Sequence, residues 1–170
     1  MKNIELKAQL HDREKTEKKA VALGARFEGH IRQCDTYFNV PGGRFKLRVC
    51  EPGESYLVFY KRSDEAGPKA CEYDIQAVSP AIREILSNAI GVLTEVVKTR
   101  ALYLWENVRI HFDRVEGLGE FLEFEAVLSK GYDAEDGYSK VRRLREEFQI
   151  ADEDLVPVSY MDLMLRRSPT

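Results

Sequence analysis

Cysteine is scarce and scattered: the 170 residues contain three, Cys34, Cys50 and Cys71, an odd number with no CxxC spacing. Such usage supports neither a disulfide framework nor a structural zinc site, and it fits a reducing, cytoplasmic home. Positive charge is not in excess either. With 26 Lys and Arg against 29 Asp and Glu, the net charge is -3 and the sequence pI about 5.7. Nucleic-acid and basic membrane surfaces need a net positive field, so neither partner is expected, and local basic clusters should serve a small anion instead. Long apolar runs are missing too. No segment approaches the length of a bilayer-spanning helix, and Met1 leads into Asn3-Ile4-Glu5-Leu6-Lys7 without the apolar stretch of a signal peptide. The turn Pro41-Gly42-Gly43-Arg44 lacks the Gly-Lys-Ser/Thr of a phosphate-binding P-loop. Cys50 has no histidine partner or nucleophile motif, which argues against covalent cysteine catalysis. Without internal repeats or a linker, the chain reads as one domain over 1–170, and at 44% hydrophobic residues it can build its own core.

What is present is strand. Residues 2–10, 27–40, 44–51, 56–62, 70–78, 92–106, 109–115 and 120–128 read as eight strands, with Pro41-Gly42-Gly43 as the clearest hairpin turn. Helices are expected after the cap Asp12 as far as Gly24, from Ser79-Pro80 to Gly91, from Asp133 with Val141, Leu144 and Phe148 at helical spacing, and over Met161 to Leu165. Eight strands with three or four helices predict an α+β domain dominated by antiparallel sheet.

The charges on these strands alternate. Asn3-Glu5-Lys7, Lys46-Arg48, Lys98-Arg100, Arg109-His111-Asp113 and Glu123-Glu125 each occupy one face, while Ile4, Leu6, Leu47, Val97 and Phe124 take the other. Eight strands suffice to close a barrel. Closure would turn the charges inward and leave the apolar faces to the helices, giving a tunnel lined by Lys7, Lys46, Arg48, Lys61, Lys98, Arg100 and Arg109 against Glu5, Glu72, Asp113, Glu123 and Glu125. Glu123 and Glu125 lie roughly 7 Å apart along a strand, and at an effective dielectric near 20 their repulsion costs about 2 kcal/mol. A bridging cation relieves it. Carboxylates without a Cys or His cluster suit Mg²⁺ or Mn²⁺, and the basic set offers charge-assisted donors to phosphate. His111 shares the inward parity, but a lone strand histidine is ordinarily a hydrogen-bonded bystander.

The motifs Asn3-Ile4-Glu5-Leu6-Lys7, Gln33 to Phe38, Lys46-Leu47-Arg48, Lys61, Glu72-Tyr73, Val97 to Arg100, Arg109 to Asp113, Leu118-Gly119 to Glu125 and Ser159 to Leu163 occur in an order that resembles the CYTH superfamily. These are triphosphate tunnel metalloenzymes, and the wording of Asp113-Arg114-Val115-Glu116-Gly117-Leu118-Gly119 is most similar to the class IV adenylyl cyclase-like branch. The resemblance implies an eight-stranded closed antiparallel tunnel with helices packed outside. It implies metal ligation by Glu5, Glu123 and Glu125 with Asp113 and Glu72 in support, and phosphate binding by Lys7, Lys46, Arg48, Lys61, Lys98, Arg100 and Arg109. Asn3 departs from the ExExK opening of the family, offering an amide oxygen in place of a carboxylate. The implied activity is conversion of ATP to cyclic AMP and pyrophosphate. The alternatives are hydrolysis of thiamine triphosphate, tripolyphosphate or a nucleoside triphosphate, and non-catalytic binding of a polyphosphate. A homodimer is left open as an assembly state.

Overall fold

Charged side chains on one face of every strand can be buried only if the sheet curls round on them, and here it does. In the structure, a computed structural model that describes residues 1–167, eight strands form one closed barrel. They are β1 (Lys2–Gln9), β2 (Arg26–Phe38), β3 (Arg44–Glu51), β4 (Ser55–Arg62), β5 (Lys69–Val78), β6 (Val92–Trp105), β7 (Val108–Val115) and β8 (Gly119–Val127). Their order round the barrel is β1-β5-β4-β3-β2-β6-β7-β8, and every neighbouring pair is antiparallel. The first strand closes the ring. It pairs with β5 through Lys2↔Glu72 to Glu5↔Lys69 and with β8 through Asn3↔Val127 to Gln9↔Phe121. At the β2–β3 hairpin Gly43 has φ +73°, and a Cβ there would stand 2.7 Å from the Phe59 ring, so only glycine fits the turn.

Four helices lie outside: α1 (Arg13–Ala22), α2 (Ile82–Ile90), α3 (Ala134–Glu147) and α4 (Tyr160–Arg167). The expected cap holds for α1, where Asp12 accepts from the amide of Lys15, and at the expected start of α3 Asp133 accepts from the amide of Asp136. For α2 the expected Ser79-Pro80 start is corrected: these residues form a preceding turn, and the helix begins at Ile82 after Ala81, without a side-chain cap. Helices cover only part of the barrel. The outward faces of β1, β7 and β8 present Ile4, Leu6, Ile110, Phe112, Leu122 and Phe124 to Val141 and Leu144 of α3, forming the main core. Gly137 brings α3 close, since a Cβ there would meet Ile4 Cγ1 at 2.8 Å. The outward faces of β4 and β5 face water instead, with Lys61, Glu72, Asp74 and Gln76 exposed. A second apolar cluster plugs the barrel: Tyr37, Val96, Val115 and Phe121, which share the inward parity of their strands, pack with Tyr160 and Met161 of α4. No helix among the described residues is long and apolar enough to cross a membrane.

Candidate functional site

Inside the barrel a cavity of about 160 Å³ is lined by charged residues from most of the strands. From β1 come Asn3, Glu5 and Lys7, from β3 Lys46 and Arg48, from β6 Lys98 and Arg100, from β7 Arg109 and from β8 Glu123 and Glu125. The register sets the levels: Glu125 stands opposite Glu5 and beside Arg109, and Glu123 opposite Lys7 and beside His111.

Two buried carboxylates organise the basic wall. Asp35 accepts from Arg48 Nε and Nη2, both at 2.7 Å, and from Lys46 Nζ at 2.8 Å. Burial alone would raise its pKa, but the charges of Arg48 and Lys46 outweigh this and hold it well below the usual carboxylate range. Asp113, fully buried, accepts from Arg100 Nε and Nη2 at 2.6 Å and from Tyr160 Oη at 2.9 Å, with Lys98 Nζ 3.4 Å away. Burial again opposes ionisation, and Arg100 and Lys98 again overcome it. Pairing therefore fixes the guanidinium planes while leaving Arg48 and Arg100 on the cavity wall. Lys98 is the exception. Burial, with the neighbouring charge of Arg100, pushes its pKa from 10.5 down to about 7.

The acidic side is also compensated, by cations that other strands bring to Glu123 and Glu125. Glu123 accepts from Arg100 Nη2 at 2.8 Å and lies 3.3 Å from Lys7 Nζ. Burial would raise its pKa, but Lys7, the His111 hydrogen bond and Arg100 hold it well below normal. Glu125 is less tied, 3.7 Å from Arg109 and 3.8 Å from His111 Nδ1. Glu5 is ion-paired with Arg62. His111 is buried beside these groups, its Nδ1 3.4 Å from Glu123 Oε2. Burial and Arg100 lower its pKa, so the ring is neutral at physiological pH. Among the described residues, His111, Glu123 and Glu125 are the group whose ligand atoms come together as a metal site would require, all within 4.8 Å.

The barrel thus assembles Glu5, Lys7, Lys46, Arg48, Lys98, Arg100, Arg109, Glu123 and Glu125 about one space. Two residues expected there are corrected. Lys61 and Glu72 point outward and are exposed, with Glu72 paired to Lys2 at 2.5 Å. In their place Arg62 faces in from β4, and Cys71 and Tyr73 from β5. The cause is that β4 and β5 carry charge on both faces, because water covers their outer one. Asp113 is buried behind Arg100 with both oxygens engaged, which suits it to orient the basic wall. Asp35 was legible in part, since it alternates with Gln33 and Tyr37 on β2, but no same-strand partner flags it. Lys69, buried and donating to the carbonyl oxygens of Glu65 and Pro157, carried no signal at all.

A search for relatives returns the same architecture. Residues 1–160 match the CYTH domain. The chain belongs to the CYTH family. A relative from Methanocaldococcus jannaschii, named "Putative adenylate cyclase", is 24% identical over 172 residues, covering 96% of this chain and 98% of its own. The solved PH1012 protein of Pyrococcus horikoshii OT3 is 27% identical, with a TM-score of 0.82 over 95% of this chain and 98% of its own. A Hippeastrum structure, titled as a "Putative adenylyl cyclase" that reveals a dominant triphosphatase activity, has 16% identity and a TM-score of 0.67 over 99% of this chain and 97% of its own, a likeness of fold alone.

Proposed function

We propose that this CYTH chain is a divalent-metal-dependent enzyme acting on a small triphosphate held inside the barrel. The observation that carries the reading is the opposition, in one cavity, of Lys46, Arg48, Arg62, Lys98, Arg100 and Arg109 to the carboxylates of Glu5, Glu123 and Glu125. A chain of phosphates needs charge-assisted donors on several sides, and a fixed guanidinium can hold two oxygens at once. Catalysis of phosphoryl chemistry rests on positioning and charge neutralisation more than on a covalent nucleophile.

The residues present fit a hard or borderline divalent ion. Glu123, Glu125 and Glu5 supply carboxylate oxygens, and the Asn3 Oδ1, buried and without a partner, lines the same cavity. Glu123 and Glu125 would hold the ion, with Glu5 across from Glu125, and it would supply Lewis-acid charge and lower the pKa of an attacking hydroxyl. The reaction favoured is cyclisation of ATP, consistent with the name of the M. jannaschii relative. The ribose 3′-hydroxyl attacks the α-phosphorus, the α–β anhydride bond breaks and pyrophosphate leaves. Arg48 and Arg100, held by Asp35 and Asp113, bind oxygens of the phosphate chain, and Glu125, the least committed lumen carboxylate, accepts the hydroxyl proton. Hydrolysis of the triphosphate is the second reading. It is favoured by the wall itself, whose cationic side chains suit a chain of phosphates whatever group it carries.

Phosphorus NMR of products from ATP, tripolyphosphate and thiamine triphosphate, each with Mg²⁺ and Mn²⁺, tests both. Cyclic AMP with pyrophosphate supports the first reading, and orthophosphate the second. Unchanged turnover in EDTA overturns metal dependence, and absence of turnover with retained tripolyphosphate binding makes the chain a binder.

A further inference from the structure

We infer that His111 is itself a metal ligand and that its imidazole makes this site prefer a first-row transition ion, Mn²⁺ or Co²⁺, over Mg²⁺. The inference deepens the metal-dependent reading above and rests on it. Three observations carry it. First, the ring is placed by the strands: His111 of β7 stands opposite Glu123 of β8 in register, with Glu125 two residues along on the same inward face. Its Nδ1 lies 3.4 Å from Glu123 Oε2 and 3.8 Å from Glu125 Oε1. Bond lengths from a metal to nitrogen or oxygen are about 2.0–2.2 Å, so atoms gathered within 4.8 Å need shift only a little to share one ion.

Second, the Asn3 Oδ1 is buried, has no hydrogen-bond partner and lines the cavity that Glu123 and Glu125 line. A buried acceptor without a donor is costly unless something fills the role, and a cation would. Third, the local charge is unfavourable to a hard ion held by oxygen alone. Glu123 already carries Arg100 at 2.8 Å and Lys7 at 3.3 Å, Glu5 is ion-paired with Arg62, and the remaining oxygen donor, Asn3, is a neutral amide. Mg²⁺ takes oxygen ligands and parts with water reluctantly, whereas imidazole affinity rises along the first-row transition ions. One neutral nitrogen donor therefore adds little to Mg²⁺ binding, more to Mn²⁺ binding and most to Co²⁺ binding. Without metal, Nδ1–H donates to Glu123 Oε2 at 3.4 Å; ligation uses the Nδ1 lone pair with the ring proton on Nε2, so the ion would replace that hydrogen bond. The 3.5 Å approach of Nε2 to Arg100 Nη1 is too long to hold the ring against this change of tautomer.

The test uses the full chain and the metal alone, without a phosphate ligand. Calorimetric titration should show Mn²⁺ and Co²⁺ binding at least about tenfold tighter than Mg²⁺, and His111→Gln should weaken the first two about tenfold while changing Mg²⁺ less than about twofold. Pulsed electron paramagnetic resonance of Mn²⁺ on the wild-type chain should show one directly coordinated ¹⁴N. That measurement needs no variant and decides the matter if His111→Gln fails to fold. Mn²⁺ bound without nitrogen coupling overturns the ligand role of His111 and leaves the metal-dependent reading standing. No binding of any of the three ions overturns both.

Discussion

If a triphosphate binds beside Lys98, binding must take up a proton. In the barrel the ammonium is buried near Arg100 and Arg48, with Asp113 at 3.4 Å only partly compensating, and its pKa lies at about 7 instead of 10.5. At pH 8 about one-tenth of the chains carry the charge, at pH 7 about half and at pH 6 nearly all. Several phosphate negative charges within reach reverse the balance and return the pKa towards its ordinary value. Binding should therefore take up about 0.9 proton at pH 8, about 0.5 at pH 7 and close to none at pH 6. Above pH 7 the affinity contributed by this group should weaken by up to about tenfold per pH unit. Calorimetry of tripolyphosphate in EDTA, in buffers of different ionisation enthalpy, reads the uptake. Protons exchanged by the ligand itself are common to wild type and Lys98→Met and cancel in the difference. The same shift has a consequence for the empty protein. A folded pKa below the unfolded one means that the folded chain sheds this proton first, so the stability contribution of Lys98 rises with pH between about 7 and 10.5. At pH 6, where the buried charge is present in full, Lys98→Met should be relieved of that cost. Equal proton uptake by the two proteins at pH 8 would refute the reasoning.

Asp113→Asn removes the counter-charge of two buried cations, Arg100 and Lys98, and should cost about 3–5 kcal/mol in urea denaturation; a loss under 1 kcal/mol would mean that the cations are neutralised elsewhere. Arg62→Met should weaken tripolyphosphate binding at least about tenfold, the loss expected of one charge-assisted contact. Lys61→Met, one residue along but on the outer face, should leave binding unchanged, and equal effects would show that the inward parity of β4 is misassigned. Gly137→Ala should lower stability by about 1–3 kcal/mol through overpacking against Ile4 and Leu128, despite alanine's better helix propensity of about 1 kcal/mol. A higher melting temperature in the variant would contradict the close approach of α3 to β1.

Much of this protein was determined by local pattern. The period-two alternation of Glu5-Lys7, Lys98-Arg100 and Glu123-Glu125 against Ile4, Leu6 and Phe124 placed the charged and apolar faces of β1, β6 and β8. A strand's side-chain period is a property of the backbone, so it can be read without neighbours. Asp12 as a cap and Asp133 as a helix start were legible for the same reason: a carboxylate three residues before an amide meets it whenever a helix starts there. Tertiary structure decided what depends on the far side of a strand. On β4 and β5 both faces carry polar groups, and only the position of the helices, which pack over β1, β7 and β8, shows that Lys61 and Glu72 meet water while Arg62 meets the cavity. Pairing across strands was likewise unreadable, because register is a relation between segments distant in sequence. It is register that sets His111 against Glu123, Asp35 against Arg48 and Glu5 against Glu125. A histidine read alone is a bystander. Register brings this one within 3.8 Å of two carboxylates and beside Arg100.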